Sequence, residues 1–183
     1  MNKWTSPSGK SLRLERGDIT GVKVDVIVNA ANSRLAGGGG VDGAIHRAAG
    51  PSVMDELDQI RRDTGECPTG KAVITKAGHL PARYIIHAVG PVYRGGREGE
   101  AALLASCYHE ALRIAEERGL RSIAFPAIST GIYGYPMDEA AAIALREARA
   151  HLEEPGSIQE VVFVLFGEDA FETFRTAMGS LFA

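Results

Sequence analysis

Val24 to Asp42 reads VDVIVNAANSRLAGGGGVD: an apolar run rich in β-branched residues, two asparagines, and four consecutive glycines before Val41-Asp42. The run Val24 to Ala30 has the composition of a buried strand, and Val41 to Ala49 that of a helix. The same order recurs once. Ser122 to Ile128 (SIAFPAI) leads into Ser129-Thr130-Gly131-Ile132-Tyr133-Gly134-Tyr135-Pro136 and then a helix from Met137 to Glu153. Two strand–glycine-loop–helix units in one short chain call for an open sheet with helices packed on it.

The intervening segments extend the pattern. Ser11 to Glu15, Lys71 to Lys76, Tyr84 to Val89 and Val161 to Phe166 read as strands. Ser52 to Arg62, Glu100 to Arg118 and Glu168 to Leu181 read as helices, with Gly119 as the stop of the second. Continuous apolar strands such as VVFVLF suit a sheet covered on both faces. The expected fold class is therefore α/β, a three-layer α/β/α sandwich with a mixed, mainly parallel central sheet. A single domain is expected over 1–183, with 1–10 a flexible or edge segment.

Composition excludes several classes. The 183 residues carry 20 Lys+Arg against 23 Asp+Glu, a net charge of −3, with 45% hydrophobic residues. That balance lacks the positive field of a non-specific nucleic-acid binder, and 183 residues bury a core without staples. Cys67 and Cys107 cannot form a disulfide framework and are expected as reduced thiols in a cytoplasmic protein. Neither a signal peptide nor a membrane span is read. His79, His87, His109 and His151 show no metal-ligand spacing, so no metal and no cofactor are expected. His87, inside an apolar strand, reads as a buried histidine with its hydrogen bonds satisfied.

Glycines at a strand's carboxyl end let backbone N–H groups converge on an anion, aided by the positive end of the next helix. Two such loops could grip the halves of a diphosphate, where one alone could be merely a flexible turn. Gly37 to Gly40 lacks the Gly-Lys-Ser/Thr of a terminal-phosphate loop and misses the dinucleotide glycine spacing, which disfavours a kinase or dehydrogenase. Asn29, Asn32, Asp42 and His46 gather around the first loop, the last two four apart on one helix face. Asp42 alone could be a helix cap and His46 a packing residue. By spacing, Asp18 reads as a turn residue and Phe166 as core, whereas Tyr133 and Tyr135 read as pocket walls.

Read together, Gly17-Asp18-Ile19-Thr20, Val28-Asn29-Ala30-Ala31-Asn32, Gly37 to Gly50, His87-Ala88-Val89-Gly90-Pro91 and Phe125 to Gly131 occur in the order found in macrodomains. The chain resembles the MacroD-type branch, which includes bacterial O-acetyl-ADP-ribose deacetylases, from about Leu12 to Leu181. The resemblance implies an ADP-ribose cleft at the crest of the sheet. It implies that Asp18 accepts the adenine amino group with Gly17 and Ile19 beside it, and that Phe166 stacks on the base. Ala30 and Ala31, Gly37, Gly38, Gly39, Gly40 and Val41, and Ser129, Thr130, Gly131, Ile132 and Tyr133 would enclose the diphosphate and distal ribose. Asn32 and Asp42, supported by Asn29 and His46, would form the catalytic face.

The implied activity is hydrolysis of esters at the distal ribose, from O-acetyl-ADP-ribose or from mono-ADP-ribosylated Asp and Glu side chains of proteins. The alternative is a reader that binds ADP-ribose without cleaving it. An RNA-processing protein partner is known among relatives, although nothing in this sequence encodes one, and direct nucleic-acid contact is not expected. A carboxylate in a helix's first turn is stabilised as the anion by about 0.3–1 kcal/mol, which suits Asp42 to positioning water more than to abstracting its proton.

Overall fold

The computed structural model describes residues 1–182, and its strands form one seven-stranded sheet. In chain order the elements are β1 (Lys3–Thr5), β2 (Ser11–Arg16), a 3-10 turn (Ile19–Gly21), β3 (Val26–Ala31), α1 (Gly40–Ala49), α2 (Ser52–Thr64), β4 (Ala72–Lys76) and β5 (Tyr84–Val89). They continue with α3 (Glu100–Glu117), β6 (Ser122–Phe125), α4 (Met137–Leu152), β7 (Glu160–Leu165) and α5 (Glu168–Phe182). The spatial strand order is β1-β2-β7-β6-β3-β5-β4. The inner pairs are parallel, and the two edge strands β1 and β4 run antiparallel to their neighbours. This is the mixed, mainly parallel sandwich that the sequence implies.

Alternation along the strands builds two cores. Val26 and Val28 of β3 face a cluster with Leu104 and Tyr108 of α3, Leu145 of α4 and Phe174 of α5. Ile27 and Ala31 face the other way, onto Ile45 of α1 and Val53 and Leu57 of α2. Each face of the sheet is thus sealed by its own helices, as a doubly covered parallel sheet requires.

The segment 1–10 contributes an edge strand, β1, whose Trp4 lies 5.6 Å from Phe182 with the Arg149 guanidinium over both rings. Two details differ from the sequence reading. β6 stops at Phe125 rather than Ile128, because Pro126 has no N–H for the ladder. β3 begins at Val26, two residues later than its apolar run, and extends to Ala31. Among the described residues no helix is long and apolar enough to cross a membrane. Burial pushes both thiols up, Cys67 to about 11 and Cys107 to about 12, which leaves them inert as nucleophiles.

The early stop of β6 splits the middle of the sheet. β3 and β6 are neighbours, yet only Val26 and Ile27 pair across to Ile123 and Ala124. Beyond that the strands fork. After β3 the chain turns to the face carrying α1, and after β6 to the face carrying α4. Such a switch point, where adjacent strands send their connections to opposite faces, opens a crevice at the strands' carboxyl ends.

Candidate functional site

A cleft of about 400 Å³ fills this fork. One wall comes from the end of β3 and the first glycine loop: Ala30, Ala31, Asn32, Gly38, Gly39, Gly40, Val41 and Asp42. The other comes from the second loop, Ser129, Gly131, Ile132 and Tyr133, with Gly90, Ala127 and Ile128 between them. Asp42 is the only charged side chain in this lining, and none is basic.

Positive potential must therefore come from the backbone. α1 starts at an N-cap, Gly39, that offers no side-chain acceptor. The N–H groups of Gly39 to Asp42 find no acceptor among the described residues, and neither do those of Gly131 to Tyr133. Unpaired amides at a helix amino end and in a tight loop are what an anion needs. Ser129 adds to this wall. It is held at φ +68°, a left-handed conformation uncommon for a residue with a side chain, and its buried Oγ has no partner among the described residues.

The first loop is shaped from within. The Asn32 amide donates to the Gly37 carbonyl at 2.9 Å, and its oxygen accepts from the Ala36 N–H at 3.2 Å. Arg61 of α2 reaches the carbonyls of Arg34 and Leu35, and the Cys67 N–H donates to the Ser33 carbonyl. Asp42 sits in the third position of α1 and does not cap it. Instead its Oδ1 accepts from Asn29 Nδ2 at 2.8 Å and lies 3.3 Å from His46 Nε2. Its Oδ2 lies 3.4 Å from where a Cβ on Gly38 would stand, and that same point is 3.9 Å from Asn32 Nδ2. Asn29, Asn32, Asp42 and His46 are thus brought together as the sequence suggested.

The remaining candidates stand along the same crest. Gly17 donates to the Leu165 carbonyl at 2.9 Å, which sets Asp18 and Phe166 at neighbouring strand ends of β2 and β7. Asp18 accepts from the Thr20 N–H and hydroxyl and caps the turn that buries Ile19; the hydroxyl bond foremost holds its carboxyl below the ordinary range. Phe166 is 85% exposed, which overturns the core reading of this ring. Gly37 and Thr130 brace their loops from outside the cleft lining, Thr130 through a hydroxyl bond to the Ala127 carbonyl.

Tyr135 corrects the sequence reading. It is buried in the α3/α4/α5 core, 4.9 Å from the Tyr93 ring, whereas Tyr133 does line the cleft and Ile132 is 99% exposed at its mouth. Gly90 was missed as a site residue. A Cβ there would stand 2.2 Å from Ser129 Oγ and 2.6 Å from Ile128 Cγ2, so only glycine lets β5 end this close to the second loop. Its place directly after a buried strand, before Pro91, was the available signal.

A family model described as "Macro domain" matches residues 28–144. The chain belongs to the macro domain family. A macro domain-containing protein of Streptomyces griseus is 57% identical over 91% of this chain and 94% of its own length. The O-acetyl-ADP-ribose deacetylase of Klebsiella pneumoniae is 54% identical over 90% of this chain and 94% of its own. Among solved structures, the Oceanobacillus iheyensis macrodomain with ADP superimposes with a TM-score of 0.92 at 43% identity, covering 98% of this chain and 96% of that one. The Trypanosoma brucei macrodomain in complex with ADP-ribose gives 0.84 at 45% identity, covering 92% of this chain and 69% of that one.

In this macro domain the second loop leans on a braced neighbour. The Tyr93 N–H donates to the Tyr133 carbonyl at 2.8 Å, and the loop carrying Tyr93 is gathered by buried Glu100, which accepts the N–H groups of Arg94, Gly96 and Glu98. Those amides, Arg94's foremost, hold the Glu100 carboxyl down to about 2 from its ordinary 4.5. A depressed carboxyl contributes stability above its unfolded value, and that contribution is lost as pH falls from about 4.5 towards 2. Glu100→Gln should therefore unfold at lower temperature than wild type at pH 7, with the gap narrowing as pH falls from about 4.5 towards 2 in thermal scans. A gap independent of pH would deny the carboxylate this role.

Proposed function

We propose that this chain binds ADP-ribose and hydrolyses esters at its distal ribose, deacetylating O-acetyl-ADP-ribose and releasing mono-ADP-ribose from Asp and Glu side chains. The observation that carries the reading is a cleft with two amide-lined loops and one carboxylate. The loops suit a diphosphate, and Asp42, the one carboxylate in the lining, suits a water or a sugar hydroxyl beside it. The ADP-ribose and ADP complexes of related macrodomains, and the deacetylase name of close relatives, support it.

In the proposed reaction Asp42 Oδ2 accepts a hydrogen bond from water and aims its oxygen at the acyl carbon, with a phosphate oxygen of the ligand as second acceptor. The water oxygen bonds to the acyl carbon as the bond from that carbon to the ribose oxygen breaks. One water proton passes to the ribose oxygen, which becomes a hydroxyl, the other is released to solvent, and the acyl group leaves as a carboxylate. Asn32 fixes the loop that presents the sugar. Asp18 and Phe166 receive the adenine end along the crest. The test is incubation with O-acetyl-ADP-ribose and, separately, with a glutamate-linked mono-ADP-ribosylated protein. Acetate and free ADP-ribose are the expected products, whereas a reader would bind both substrates and release neither.

A further inference from the structure

Beneath α1, polar side chains from three neighbouring strands interrupt an apolar layer. They are Thr75 on β4, His87 on β5 and Asn29 on β3, all buried, and Asn29 and His87 are register partners side by side. Of the three, only Asn29 touches the groups of the proposed reaction. The direction of each hydrogen bond between them is fixed by elimination. The Lys76 carbonyl can only accept, so it takes the Thr75 hydroxyl proton at 2.9 Å. That hydroxyl has no second proton, so at its 2.9 Å contact with His87 Nε2 it must accept, and Nε2 carries the ring hydrogen.

Complete burial, with His46 nearby as the next cause, drives the His87 imidazolium down to about 3, so the ring is neutral and Nδ1 presents a lone pair. The lone pair takes one N–H of the Asn29 amide at 3.1 Å, and the amide's other N–H goes to Asp42 Oδ1 at 2.8 Å. Turned over, the amide would set its oxygen against both the carboxylate and the ring lone pair. Asn29 Oδ1 is left buried without a partner among the described residues, an arrangement a residue chosen only for packing would avoid.

We propose that His87 and Thr75 are positioning residues: they lock the rotation of the Asn29 amide, which holds Asp42 by Oδ1 and leaves Oδ2 as the oxygen presented to the cleft. The donations diverge from the Asn29 amide, one to the Asp42 carboxylate at the cleft and the other through His87 and Thr75 to the Lys76 carbonyl on the edge strand. Its kinetic consequence rests on the hydrolysis proposed for this cleft; its bond directions do not.

The experiment has a spectroscopic and a kinetic arm. Nitrogen-15 NMR of the wild-type ring at pH 7 should show a neutral His87 protonated at Nε2; a ring protonated at Nδ1, or at both nitrogens, overturns the proposal. In the kinetic arm, Thr75→Val removes the acceptor for Nε2–H, so the ring moves its hydrogen to Nδ1 and the Asn29 amide is turned away from Asp42. We expect kcat on O-acetyl-ADP-ribose to fall about tenfold, equivalent to about 1.4 kcal/mol, while the Kd for ADP-ribose by calorimetry stays within about twofold. Thr75→Ser restores the hydroxyl and with it turnover.

Unchanged kcat in Thr75→Val, or a loss of binding equal to the loss of turnover, overturns the positioning role. His87→Phe, which keeps an aromatic ring without the nitrogens, gives the same reading if Thr75→Val fails to fold. A wild type that hydrolyses no ester would refute the proposed function, and the NMR arm would still decide the wiring.

Discussion

Asp42→Ala is expected to lower turnover of O-acetyl-ADP-ribose by about 100-fold or more at saturating substrate, a loss of roughly 2.7 kcal/mol in transition-state stabilisation. The size follows from the lining: Asp42 is its only charged side chain, and no second carboxylate or imidazole faces the cleft to take over the water. Binding of ADP-ribose should survive. The amides that would hold the diphosphate belong to the backbone, and removing an anion from beside an anionic ligand relieves a repulsion of about 1 kcal/mol in a solvated site. Asp42→Asn separates charge from shape, since its amide oxygen can still accept from Asn29. Comparable losses in both variants would assign the effect to the carboxylate. A drop below about tenfold in Asp42→Ala would remove Asp42 from the mechanism.

Gly43→Ala, by contrast, should damage binding, against the expectation from helix propensity. In a helix interior alanine is favoured over glycine by about 1 kcal/mol, and Gly43 lies inside α1 with nothing unusual in its backbone angles. A Cβ at this position, however, would stand 2.6 Å from the Gly38 carbonyl oxygen and 3.0 Å from the Arg47 guanidinium. The guanidinium can swing away. The Gly38 peptide is backbone, set between Gly37, held by Asn32, and the N-cap Gly39. It must move, and its movement displaces the amides of the first loop. We expect the Kd for ADP-ribose to rise at least about tenfold, or about 1.4 kcal/mol, with helix content unchanged by circular dichroism. Unaltered affinity would mean that the first loop tolerates displacement and that its amide geometry does not govern binding.

The legibility of the sequence followed the range of the signals. Glycine runs, strand apolarity and helix stops are local, so both glycine-loop units and most element boundaries could be read directly. Asn29, Asn32, Asp42 and His46 were legible because all lie within 18 residues of one loop. The interaction between His87 and Asn29 was not, because 58 residues separate them and parallel register leaves no mark in the sequence. Tyr135 misled because a tyrosine among glycines looks exposed until its partner Tyr93 is known. Gly90 and Ser129 are mute singly; their meaning is the gap that a Cβ would close. Pro126 was a local signal that strand apolarity outweighed, and it ends β6 where the cleft begins.

That fork between β3 and β6 places the two jaws of the cleft on separate foundations. The first loop is seated on the small core of α1 and α2, the second on the large core of α3, α4 and α5. A void carved beneath Leu57 would loosen one jaw, and a void beneath Leu145 the other, each leaving its opposite firm. Grip on one end of a bound molecule can thus be retuned by substitutions remote from it without disturbing the grip on the other.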